Sequence, residues 1–222
     1  DKAQKAEQAG DHAAAARYFR ALTKAAPESA FGPRQLCAAL EAAGDLPNAI
    51  VACRTTLTRT GATAGDYLRF VELVLKSPAP LPAGERQELE AVIAHLGHEA
   101  NLGAVPTMLR CDVALRFSDR AALAACTEAL ARQAPRDPRT VSFQWALALQ
   151  NDDRGAALGF IDRARAAGMS PQGLAKMQAA TRAMTLRHLG RIAGATAIAA
   201  LLAALLVVGI RRASAARRRL AV

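Results

Sequence analysis

One short pattern recurs along this chain and limits what it can fold into. Gly10-Asp11 is followed by Ala15 and Phe19, and Gly44-Asp45 by Ala49 and Cys53. Ser118-Asp119 is followed by Ala122 and Cys126, and Asp152-Asp153 by Ala157 and Ile161. The self-similarity has a period in the thirties. Proline-containing segments close several units: Ala26-Pro27-Glu28, Ala134-Pro135-Arg136-Asp137-Pro138 and Ser170-Pro171. Asp137-Pro138 and Ser170-Pro171 read as helix starts, a cap followed by proline in the first turn. Each unit has room for two helices, and neither can bury its apolar face alone. Stacked pairs make a continuous core and an elongated, curved surface.

Composition agrees with an all-α chain. Aromatics are 4% of 222 residues, and alanine and leucine dominate. Alanine favours helix because it loses no side-chain entropy there, and its small size lets helices approach closely. The pattern places helices at 1–9, 11–26, 29–43, 46–60, 63–76, 84–100, 103–117, 119–133, 139–151 and 153–167, with a last one starting near 171.

The turn pairs, the following Ala and the closing Pro resemble the tetratricopeptide repeat (TPR) family. The resemblance covers most of residues 1–168. It is weakest over 63–100, where Ser77-Pro78-Ala79-Pro80-Leu81-Pro82 separates the helices by more than a tight turn. It implies a right-handed superhelical stack of helix hairpins that binds a partner protein or peptide without catalysis. Partners of that family dock on the inner surface formed by first helices. The first-helix residues matching that position are Arg34, Glu41, Asp112, Arg116, Arg139 and Ser142, with Met108 as an apolar contact.

Four cysteines fall in two pairs, Cys37 with Cys53 and Cys111 with Cys126. In each pair the first lies in the first helix of a hairpin and the second in the second helix. Antiparallel helices bring such positions face to face. Two intra-hairpin disulfides are one reading, and they require an oxidising compartment. Reduced cysteines packed as small hydrophobes are another. Metal binding or catalysis is a third, but the spacing is far from CxxC and no histidines match it.

Residues 192–210, IAGATAIAALLAALLVVGI, carry no charge. As a helix they would span about 28 Å, close to the thickness of a bilayer core. The expected organisation is a repeat domain over 1–168, a capping and juxtamembrane helix over 169–190, a transmembrane helix over 191–210 and a basic tail over 211–222. Leu174, Met177 and Met184 would pack the capping helix. Arg211, Arg212, Arg217, Arg218 and Arg219 follow the apolar run, against Arg182, Arg187 and Arg191 before it. The positive-inside rule then puts the tail in the cytoplasm. The expected location is a bacterial inner membrane, single-pass, with the repeats periplasmic; that layout requires an export signal upstream of Asp1. Gly190 and Gly194 form GxxxG, a pattern that lets membrane helices pair.

The formal net charge is +10, but six of the arginines lie beyond residue 190, where there is no acid. The remaining head has no basic cluster of the kind nucleic acid requires. There is no phosphate loop, HExxH or GxSxG. His95, His98 and Glu99 read as a solvated helix end, Asp152 and Asp153 as turn residues, and Trp145 as core. No cofactor or metal is expected. The leading functional reading is a membrane-anchored interaction scaffold or assembly factor. The alternatives are a tail-anchored cytosolic adaptor and the membrane-proximal part of a larger enzyme or transporter.

Overall fold

The computed structural model describes residues 2–78 and 84–186. Ten helices are bounded: α1 Lys2–Gln8, α2 His12–Ala25, α3 Phe31–Ala42, α4 Leu46–Leu57, α5 Ala64–Lys76, α6 Glu85–Leu96, α7 Val105–Arg116, α8 Arg120–Gln133, α9 Pro138–Gln150 and α10 Arg154–Ala166. An eleventh, α11, occupies residues 171–186. The expected helices are present within a few residues at each end. The longest difference is α6, which stops at Leu96; a single 3-10 turn at Ala100–Leu102 follows before α7.

The recurring pair builds the same joint four times. Gly10, Gly44, Ser118 and Asp152 all have positive φ, between 54 and 78°. The Asp after each donates its backbone N–H to the carbonyl of Ala6, Leu40, Ala114 or Ala148, at 2.8–2.9 Å, which closes the first helix. The same Asp then accepts at its side chain from the backbone of Ala14, Asn48, Ala122 or Ala156, which opens the second helix. One residue therefore ends one helix and starts the next. Four residues beyond each Asp lie Ala15, Ala49, Leu123 and Ala157, all 0% exposed. In the unit containing α7 and α8 the buried slot belongs to Leu123, and Ala122 is only half-buried. The joint fixes the register, so the slot falls at the fourth residue whatever its size.

The chain forms two compact units, Asp1–Pro135 and Arg136–Val222. In the first, Phe70, Val71, Leu73 and Val74 of α5 interlock with Leu89, Ile93 and Leu96 of α6, all fully buried. The stretch that matches the repeat pattern least thus holds most of the large, fully buried side chains of this core. Towards the N-terminus the core narrows to Ala15, Ala16, Phe19, Cys37 and Ala49. Small residues there permit close approach: a Cβ on Gly32 of α3 would lie 2.9 Å from the backbone of Thr23 on α2. In the second unit Val141, Ile161, Ala164 and Met177 form the buried centre, with Trp145, Phe160 and Leu174 packed around it. The Trp145 indole N–H donates to Thr181 Oγ1 at 3.0 Å, tying α9 to α11. Met177 and Met184 of α11 are buried.

The single-pass inner-membrane location is corrected. Among the described residues no helix is long and apolar enough to cross a membrane, and no single-pass anchor is shown. The apolar run 192–210, the GxxxG pair at Gly190 and Gly194, and the tail with Arg211, Arg212, Arg217, Arg218 and Arg219 lie outside the described residues.

Candidate protein interface

The residues expected to face a partner divide sharply. Arg34 is committed within the fold. Its Nε and a terminal nitrogen donate to the two carboxylate oxygens of Asp66 at 2.7 and 2.6 Å, and it also donates to the Gly61 carbonyl. Glu41 accepts two hydrogen bonds from Arg69 and lies 3.7 Å from Lys76 Nζ. Both residues therefore join α3 to α5, the first helices of neighbouring hairpins. Met108 is 6% exposed and belongs to the core, so it cannot serve as the open apolar contact expected of it. It sits beside Leu109, and both side chains are covered.

The remaining candidates are more open. Asp112 and Arg116 are half-buried on α7, and Arg116 donates to the Ser77 carbonyl at 3.2 Å. In the second unit Arg139 is exposed, its guanidinium 5.9 Å from the centre of the Phe143 ring. Ser142 donates to the Pro138 carbonyl of its own helix at 2.9 Å.

The second helices of the first unit are linked in the same manner. Arg54 of α4 lies over the Phe70 ring at 5.3 Å and pairs with Glu85 and Glu88 in the first turn of α6, at 2.7–2.9 Å. Arg86 of α6 donates to Asp119, the cap of α8, at 2.6 Å, and to Glu90 of its own helix. These partners stand 28 to 34 residues apart, one repeat period. Opposite charges one period apart are the sequence signal for these links between hairpins.

Two carboxyls are tuned by these contacts. Burial alone would raise Asp66. Hydrogen bonds from Arg34 and from the Thr63 backbone and hydroxyl, with the Arg34 charge, outweigh it and hold the carboxyl below its ordinary value. Asp119 is also lowered, first by the hydrogen bond from the Ala122 backbone and then by Arg86.

The structure joins Cys37 to Cys53 and Cys111 to Cys126, with sulfur separations of 2.05 and 2.07 Å. Each bridge lies within one hairpin, α3 to α4 and α7 to α8. Cys53 stands eight residues after its capping Asp45 and Cys126 seven after Asp119, so the two bridges sit in slightly different registers. His95 is exposed and packs on the Tyr67 ring at 4.3 Å.

Open clefts lie between helices among the described residues. One, of about 490 Å³, lies among α6, α7 and α8, floored by Ile93, Val113 and Ala114 and edged by Arg86, Glu90 and Arg110. Another, of about 440 Å³, lies between α10 and α11.

No protein-family model matches this chain, and no curated protein matches it in sequence. Solved structures do match its fold. It is similar to MamA, with 15% identity over 75% of this chain and 94% of that one, at a TM-score of 0.60. MamA 41-end from Desulfovibrio magneticus RS-1 gives 14% identity, coverage of 74% and 90%, and a TM-score of 0.58. A thermophilic TPR protein of Thermus thermophilus gives 17% identity, coverage of 80% and 94%, and a TM-score of 0.53. At such identities the likeness is one of fold. The fold is TPR-like, and the structures it matches are those of TPR-repeat proteins.

Proposed function

We propose that this chain is a non-catalytic interaction scaffold that binds a partner protein through the first helices of its hairpins. The observation that carries the reading is the TPR-like stacking itself. It uses Arg34, Glu41, Arg54 and Arg86 to hold hairpins of the first unit together, and α7 and α9 present side chains of mixed polarity. Asp112 and Arg116 in the first unit, and Arg139 and Ser142 in the second, are each proposed to contact partner protein. Their mixed charge suits a surface of mixed polarity better than one strongly charged peptide. Assembly of larger complexes is the role this reading favours, and the two disulfides fit a head that works in an oxidising compartment.

The test is site-specific photo-crosslinking in the native host. A photoreactive residue at Asp112 or Arg139 should trap one defined protein, identifiable by mass. The same group at Val51 of α4 or Tyr18 of α2 should not trap it. The purified pair should then associate in solution, and D112A with R139A should weaken that association at least tenfold. Equal trapping at all four positions, or no association of the purified pair, would refute the assignment of the interface.

A further inference from the structure

In the first unit an arginine near the start of a second helix meets the acidic cap of the next second helix. Arg86, in the first turn of α6, donates to Asp119 at the head of α8. Arg154 also stands in the first turn of its helix, α10, one position nearer the cap than Arg86 is in α6. Here α11 is the next first helix, and the cleft between α10 and α11 is the seat a following second helix would take. Leu158, 46% exposed, and Ile161 line its α10 wall, and buried Thr181 lies on the α11 side.

The charge at the rim is one-sided. Arg154, Arg165 and Arg182 line it with one carboxylate, Asp162, which is already engaged by Arg165 at 2.7 Å. The short turn through Gly168 makes α10 and α11 antiparallel. Arg154 and Arg182 therefore sit at the same end of the cleft, the end where a following second helix begins. Neither pairs with an acid among the described residues. Residues 163–222 contain eleven Lys or Arg and no Asp or Glu.

We propose that the α10–α11 cleft docks an amphipathic helix of a partner protein, with carboxylates in its first turn at Arg154 and Arg182 and an apolar stripe on Leu158. This deepens the scaffold reading and rests on it. Acids in a first turn also complement the positive end of the incoming helix's own dipole. The chain contains a template for such a ligand. Helix α6 carries Glu85 and Glu88 in its first turn and Leu89, Val92, Ile93 and Leu96 behind them, and in the fold it receives Arg54.

The probe is a helix-stapled peptide of residues 84–97, titrated by fluorescence anisotropy into the full chain. Saturable binding is expected. It should weaken at least tenfold when the peptide's Glu85 and Glu88 are replaced by Gln, and equally in an R154E/R182E chain. A peptide with both Glu replaced by Lys should recover binding to the R154E/R182E chain, which a misfolded variant could not produce. Both arginines are exposed, and circular dichroism checks that the variant keeps its helices. Absence of saturable binding, or binding indifferent to R154E/R182E, overturns the proposal. So does concentration-dependent self-association that R154E/R182E abolishes, because the occupant is then a second copy. The crosslinks at Asp112 and Arg139 report on the first helices separately, so failure of this proposal is distinguishable from failure of the scaffold reading.

Discussion

Arg34 and Asp66 stand 32 residues apart and meet in a two-pronged ion pair, while the same carboxylate closes the capping box of α5 by accepting from the Thr63 backbone at 2.8 Å. Asp66 thus ties α3 to α5 and starts α5 at once. Its side chain is only 8% exposed. D66N should destabilise the chain by about 1–3 kcal/mol, since it weakens a charged hydrogen-bonded pair and a cap together. Chemical denaturation of the two chains side by side measures the difference.

The same carboxyl gives a pH signature. Its folded value lies below its ordinary one, so its contribution is fully present above the ordinary carboxylate range and is lost as pH falls through the folded value. Urea unfolding of the native chain and of D66N should show a stability gap that is constant near neutrality and shrinks at acid pH. A gap of constant size down to the most acid measurable condition would contradict the assignment.

The two bridges should act independently. Each closes a loop of 15 or 16 residues and is expected to add about 3 kcal/mol in the chain-entropy model. Non-reducing peptide mapping should find Cys37 with Cys53 and Cys111 with Cys126. Replacing either pair by alanine should lower stability by similar amounts, and the two losses should add because the hairpins are separate. Four alkylatable thiols in protein taken from its native compartment would overturn the pairing.

Two glycines within helices should respond in opposite directions. G159A in α10 should stabilise by about 0.5–1 kcal/mol, because a Cβ there meets nothing within 4 Å and alanine is the better helix former. G32A should destabilise by about 1–3 kcal/mol despite the same propensity gain, because its Cβ would press on the Thr23 backbone. Thermal melts of the two single variants check both signs.

The turn positions offer a further comparison. Ser118 and Asp152 hold the left-handed conformation that Gly10 and Gly44 hold elsewhere. S118G should stabilise the chain by about 0.5–1 kcal/mol, and G44A should destabilise it by about 1 kcal/mol or more. Melting curves with both signs reversed would mean that the four joints are not equivalent.

The helices are legible in the sequence because the joint is written in adjacent residues. Asp11, Asp45, Asp119 and Asp153 cap by local geometry, and Asp137-Pro138 marks the start of α9 through a side-chain cap and the proline's backbone restriction. Ala122 is a false match because size is a weak marker when alanine is common; distance from the cap decides burial, and that distance selects Leu123. The interface is harder to read for a different reason. Arg34, Glu41 and Met108 look available on a helical wheel, but the surroundings of the two charged residues are made by a hairpin about one period away. Arg34 needs Asp66 and Glu41 needs Arg69 before either can be judged. Local sequence carries the first kind of information, and only paired positions across the repeat carry the second.

The placement of the bridges has a mechanical consequence. Cys37 and Cys53 hold their Cα atoms 5.2 Å apart, and Cys111 and Cys126 hold theirs 5.6 Å apart. Under tension applied at the two ends, force bypasses the residues enclosed by each bridge and runs through sulfur. Each enclosed segment would otherwise extend to about 50 Å. The oxidised chain therefore has two stretches of hidden length, and its maximum extension falls short of the reduced chain's by about 100 Å. A reductant reaching either hairpin under load would lengthen the molecule in two discrete steps, one for each bridge.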